Sequence, residues 1–210
     1  MSFARIVPRL LAVAVALLAA SPALADAPPR VRGVVTAADN SSITVKQRDG
    51  QTVTLKAGAE TTYAYVVPSS LGAIGVNDFV GTAVKGPPSA MVAVELVIIP
   101  ERMRAGRISY YGWDPLPDPE ASDASSTIAT DMTNGSVAAE KGDATGLALT
   151  VTYDGGSRSF RISVPPTAPI TRFEVADRSA VAIGSSVFIK TNPGNQAELV
   201  AVGKGVTPPM

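Results

Sequence analysis

Residues 42–56 read SITVKQRDGQTVTLK, and their pattern decides the fold class. Ile43 and Val45 alternate with Thr44 and Lys46; past Asp49-Gly50, Val53 and Leu55 alternate with Thr52, Thr54 and Lys56. A period of two marks a strand with one apolar face. Asp-Gly tolerates the positive φ angles of a tight turn, so the stretch predicts a β-hairpin. Its apolar face must be covered, and strands near residues 79–85 and 91–99 are the natural cover. Residues 69–74, between hairpin and cover, have room for a single helical turn.

The same pattern returns later in the chain. Leu149, Val151 and Tyr153 precede Asp154-Gly155-Gly156, and Phe160, Ile162 and Val164 follow it. Working outward, Gly33 matches Gly135, and Ile43-Thr44-Val45 matches Leu149-Thr150-Val151. LGAIGVNDFV at 71–80 matches AVAIGSSVFI at 180–189, which sets Ile74-Gly75 on Ile183-Gly184 and Phe79 on Phe188. AVELVI at 93–98 matches AELVAV at 197–202. Common order and spacing over this length indicate duplication.

Each copy thus offers four or five short strands and one helical turn. The sequence predicts an all-β protein of two tandem small barrels, OB-like or SH3-like, since closure removes aggregation-prone edges. An open sandwich built jointly by both copies is the alternative. The expected boundaries are repeat 1 at 30–100, a linker at 101–133, repeat 2 at 134–205 and a tail at 206–210.

Residues 1–25 read as a signal peptide. Arg5 and Arg9 form the positive region, residues 10–20 (LLAVAVALLAA) the apolar run, and Ala23-Leu24-Ala25 a small-x-small cleavage site. The run is shorter than the about 20 residues of a membrane-spanning helix, and no later stretch exceeds it, so no membrane span is expected in the mature chain. Export to the periplasm follows. Cleavage would leave a net charge of −2 and no basic cluster, which argues against nucleic acid as a partner.

Several chemistries are excluded by residue type. There is no cysteine, hence no disulfide or thiolate metal site, and no histidine, hence no Ser-His-Asp triad or imidazole ligand. Phosphate-binding glycine loops and Ser-x-x-Lys are missing too. A catalytic role and a cofactor are therefore not expected. The anticipated function is a non-enzymatic binding or scaffold role toward an unknown protein or envelope component. Metal or solute handling and envelope polysaccharide binding are the alternatives.

The linker holds the candidate contacts. Tyr110, Tyr111 and Trp113 are aromatic groups of the kind that anchor partners or stack on sugars, and Arg104 and Arg107 could bond anionic groups beside them. The competing reading is that Trp113 pins the linker to a barrel. Asp114, Asp118 and Glu120 supply oxygen ligands that only calcium would favour, though their spacing is not that of a calcium loop. Residues 107–113 are expected to pack on a barrel and residues 122–130 to stay mobile.

The segments Val31–Gly33, Ile43–Val45, Asp49-Gly50, Phe79–Gly81, IPERMR at 99–104, Trp113-Asp114, MTNG at 132–135 and GVTPPM at 205–210 carry a resemblance. The chain resembles a family of small exported Gram-negative proteins with paired copies of an OB-like domain of unknown function. Its members are often labelled metal ABC transporter permeases. That label implies several membrane spans, which this sequence lacks. Members often carry a histidine shortly before the tryptophan; here residues 106–113 read GRISYYGW without one. The resemblance implies fold and compartment rather than mechanism.

Overall fold

The computed structural model describes residues 29–104, 110–123, 126–143 and 146–208. The signal peptide expected at residues 1–25, Arg107 and the last two residues of the chain lie outside this set. In chain order the strands are β1 (Arg30–Ala38), β2 (Ser42–Gln47), β3 (Thr52–Lys56), β4 (Thr62–Pro68), β5 (Phe79–Lys85), β6 (Met91–Ile99), β7 (Tyr110–Gly112) and β8 (Leu116–Pro117). There follow β9 (Thr127–Ile128), β10 (Asp131–Asp143), β11 (Gly146–Tyr153), β12 (Arg158–Val164), β13 (Ile170–Ala176), β14 (Ser186–Thr191) and β15 (Ala197–Gly203). Among the described residues the only helical elements are single 3₁₀ turns, so the protein is all-β.

Local signals produced the expected local structure. In the first hairpin Ile43 lies opposite Leu55 and Val45 opposite Val53, with Gly50 at φ 86° in the turn. In the later hairpin Leu149 faces Ile162 and Val151 faces Phe160. The single turns fall at Leu71–Ala73 and Arg178–Ala180.

The sheet runs β12-β11-β10-β5-β6-β13-β4-β15-β14-β1-β2-β3. Its first five strands close into a barrel, because β12 pairs parallel with β6 through Ile162 and Met91. Val80, Leu96, Val137, Leu149, Val151 and Ile162 fill the interior. The last five strands form a second group around Val35, Ile43, Val45, Leu55, Ile189 and Val200. Its ends meet at a bridge between Lys56 and Gln196. Between the two groups β4 and β13 pair antiparallel, each also parallel to a strand of one group.

This partition differs from one barrel per repeat. One group joins β10, β11 and β12 to β5 and β6, and the other joins β1, β2 and β3 to β14 and β15, so each takes three strands from one half of the chain and two from the other. The cause is β4, a strand that the hairpin pattern did not reveal. At roughly 3.3 Å per residue, seven residues carry the chain about 23 Å onward instead of turning it back. β13 makes the reciprocal crossing. Construction by both copies belonged to the sandwich alternative, yet one group is a closed barrel.

Read from either end, the strand order is the same once β1–β6 are exchanged for β10–β15 in turn. β1 bulges between Val35 and Ala37, and β10 at the matching place between Val137 and Ala139. Two residues before each bulge stand Gly33 and Gly135, where an added Cβ would strike the Lys46 and Thr152 carbonyl oxygens respectively. The sequence match of 71–80 to 180–189 is corrected by two residues. Asn77 N–H donates to the Val137 carbonyl as Gly184 N–H does to Val35, and both adopt positive φ. Ile74 therefore corresponds to Val181, and Phe79 to Ser186. With a side-chain period of two, an offset of two preserves the inward face, so the pattern could not expose it.

Candidate functional site

The linker lies across the junction of the two five-strand groups. β7 extends the sheet beside β10, with Tyr110 opposite Thr133, Tyr111 opposite Met132 and Gly112 opposite Asp131. The Tyr110 hydroxyl donates to Asp131 Oδ2 at 2.6 Å. Its ring sits 5.0 Å from Phe160, which stacks on Tyr153 at 4.9 Å. Burial, reinforced by the Asp131 carboxylate, pushes the Tyr110 phenol well above its usual range. Tyr111 is buried against Ala83, Val94, Leu116 and Met132, and its hydroxyl accepts from Asn134 Nδ2 at 3.0 Å. Burial raises its pKa, with Asn134 and Arg30 opposing.

Beyond β7 the chain reaches the second group. Trp113 lies 5.7 Å from the Tyr111 ring and 6.2 Å from Phe188. The Arg30 guanidinium lies 3.9 Å from the Trp113 ring centre and that of Arg32 5.3 Å. Desolvated cation–π contacts of this kind are worth up to about 2 kcal/mol. Arg30 Nε and Nη2 donate to the two Asp114 oxygens at 2.9 and 2.5 Å, and Arg32 Nη1 donates to Asp114 Oδ2 as well. Burial tends to raise the Asp114 carboxyl, but these hydrogen bonds outweigh it and hold the pKa below the usual range. Burial lowers the Arg32 guanidinium in turn.

Within the stretch 122–130, expected to stay mobile, residues 127–130 are held by named contacts. Thr127 and Ile128 form β9 against β8, Trp113 N–H donates to the Thr130 carbonyl, and Thr130 Oγ1 donates to the Asp114 carbonyl. Residues 124 and 125 lie outside the described set.

The acidic residues do not assemble into a cation site. Asp114 faces two arginines, whereas Asp118 and Glu120 share Lys85 Nζ at 2.8 and 2.7 Å. No group of three or more potential metal-ligating acidic side chains occurs among the described residues. Arg104 stands apart, paired with Glu101 at 3.0 Å and lying 4.9 Å from the Phe79 ring. Sequence reasoning missed Arg30, Arg32 and Lys85, the cations that fix the linker. Arg30 and Arg32 were legible as two like charges on one strand face, though nothing in the sequence names their partner.

One open cleft adjoins this arrangement. It measures about 520 Å³ and is lined by Arg30, Arg32, Gln47, Arg48, Asp114 and Leu116 among others. β2 ends at Gln47, opposite Gly33, so along residues 30–32 β1 is flanked by β14 alone among the described strands. Arg48 is exposed on the turn after β2.

No protein-family model, curated protein or solved structure matches the chain. Among the described residues no helix is long and apolar enough to cross a membrane.

Proposed function

We propose that this protein is an exported, non-enzymatic binding scaffold. In this reading a duplication produced two OB-like barrels that exchange strands, and the leader at residues 1–25 directs the mature chain to the periplasm. The observation that carries the proposal is the docked linker. Tyr111 is buried, Trp113 lies among Arg30, Arg32 and Phe188, and Asp114, Asp118 and Glu120 are neutralised by framework cations. Groups of the types suited to chemistry or cation binding are used to hold the two halves as one frame. The shared β4–β13 pair supports the same reading.

Calorimetry of the mature chain from Asp26 tests it. A scaffold welded in this way unfolds in one cooperative transition, with calorimetric and van't Hoff enthalpies equal. Two separated transitions would mean independent modules and would remove the proposal. Turnover lost on mutating a carboxylate pair would remove its non-enzymatic part.

A further inference from the structure

The near-symmetry of the strand order has one conspicuous exception. On the closed barrel, β11 pairs with β10 from Ser136 onward, and β7 continues that edge alongside residues 131–133. By the Gly33–Gly135 correspondence, the matching stretch of β1 is residues 29–31. Among the described residues no strand lies beside it on that side, and Arg30 there lines the cleft. The cleft thus stands where, in the other half, a three-residue extended segment is seated.

The chemistry of the cleft differs from that of its counterpart. Met132 and Asn134 on β10 correspond to Arg30 and Arg32 on β1, and Tyr153 on β11 to Gln47 on β2. Arg30 and Arg32 are already engaged by Asp114 and Trp113, so they form a fixed floor. Arg48 is exposed at the rim and has no ion pair among the described residues. Asp49 also lines the cleft, and its Oδ1 accepts from the Gln51 N–H within the turn. Its charge counts beside that of Asp114, so three arginines stand against two aspartates and the lining is net positive by one charge. With Arg30 and Arg32 engaged, the cation at the rim is Arg48.

We infer that this cleft docks an extended, acidic segment of a partner polypeptide, laid beside β1 as β7 is laid beside β10. The inference rests on the scaffold reading and gives it a partner class. Strand addition of this type takes affinity from the backbone and specificity from side-chain sites, and Arg48 would supply the preference for a carboxylate.

The probe is a fluorescein-labelled, end-blocked pentapeptide, Glu-Val-Glu-Val-Glu, added to the mature chain and followed by anisotropy. Saturable binding is expected, weakened at least about tenfold in R48E and not in K141E, an exposed change on the β10–β11 hairpin. A version with proline at the central position, which lacks the N–H needed for pairing, should not bind. Amide shifts on binding should concentrate at residues 30–32 and 47–49. Lack of binding, equal binding by R48E, or equal binding of the proline version would overturn the inference. So would N-acetylglutamate binding as tightly as the pentapeptide, which would mark a simple anion pocket. Calorimetry on the same preparation separates the two readings: one transition without peptide binding defeats only the docking inference, whereas two transitions defeat the scaffold reading.

Discussion

Replacing Asp114 by Asn probes the joint between the two halves. The carboxylate accepts from Arg30 and Arg32 together, and its loss leaves two guanidiniums side by side over Trp113. Exposed ion pairs are worth about 0–1 kcal/mol, while removing one partner of a fully buried pair costs about 3–5 kcal/mol. The side chains of Arg30 and Arg32 are 14% and 18% exposed and that of Asp114 is 38% exposed, which places this joint between the limits. A loss of about 2 kcal/mol follows from that intermediate burial, or a fall in Tm of about 4–8 °C in a chain of this size. The effect has a sign in pH. Because the folded-state pKa of Asp114 is depressed, its contribution is complete above the unfolded value near 3.8 and is lost as pH falls through the folded value. Urea titrations followed by fluorescence of Trp113, the single tryptophan, measure both effects. At pH 7 the variant should be less stable, and in strong acid the two proteins should converge. A difference under about 0.5 kcal/mol at pH 7 would match an ordinary surface substitution and refute the joint; so would a difference unchanged in acid.

Other outcomes follow from particular contacts. Gly33→Ala drives a Cβ into the Lys46 carbonyl and should destabilise by more than about 2 kcal/mol, whereas Gly58→Ala meets open space and should be near neutral in the same denaturation assay. Asp39 accepts from the backbone and hydroxyl groups of Ser41 and Ser42, which holds its pKa down at about 2. An NMR titration should show it ionised until that pH, and the turn it braces should loosen only below; a midpoint near 4 would count against the turn geometry. Lys85→Ala removes the cation shared by Asp118 and Glu120. Cleavage within residues 118–126 by a protease should quicken, while global stability falls by about 1 kcal/mol or less.

How much was legible depended on range. Both hairpins could be read with their inward faces, because alternation and turn chemistry act over a few residues. The aromatic linker stood out by composition, but its role did not. Tyr111 looks equally suited to a binding surface and to a buried seam until Met132 and Leu116 are seen around it. Asp114 looked like an oxygen ligand because Arg30 and Arg32 are more than eighty positions away in sequence.

The sequence by itself determined that the chain is all-β, where its two hairpins turn and which side chains point inward. These follow from a period of two and from glycines at turns, signals that act over a few residues. Only the tertiary structure decided which strands close on which. Val35 can cover apolar strands from either half of the chain, since alternation specifies a face and not a partner. The choice fell to β4 and β13, whose extended run across the middle delivers β5 and β6 to the β11–β12 hairpin and β14 and β15 to the β2–β3 hairpin. The linker's place was settled the same way: Arg30, Arg32 and Asp114 meet only because that exchange puts β1 beside β14 at the junction the linker must cross.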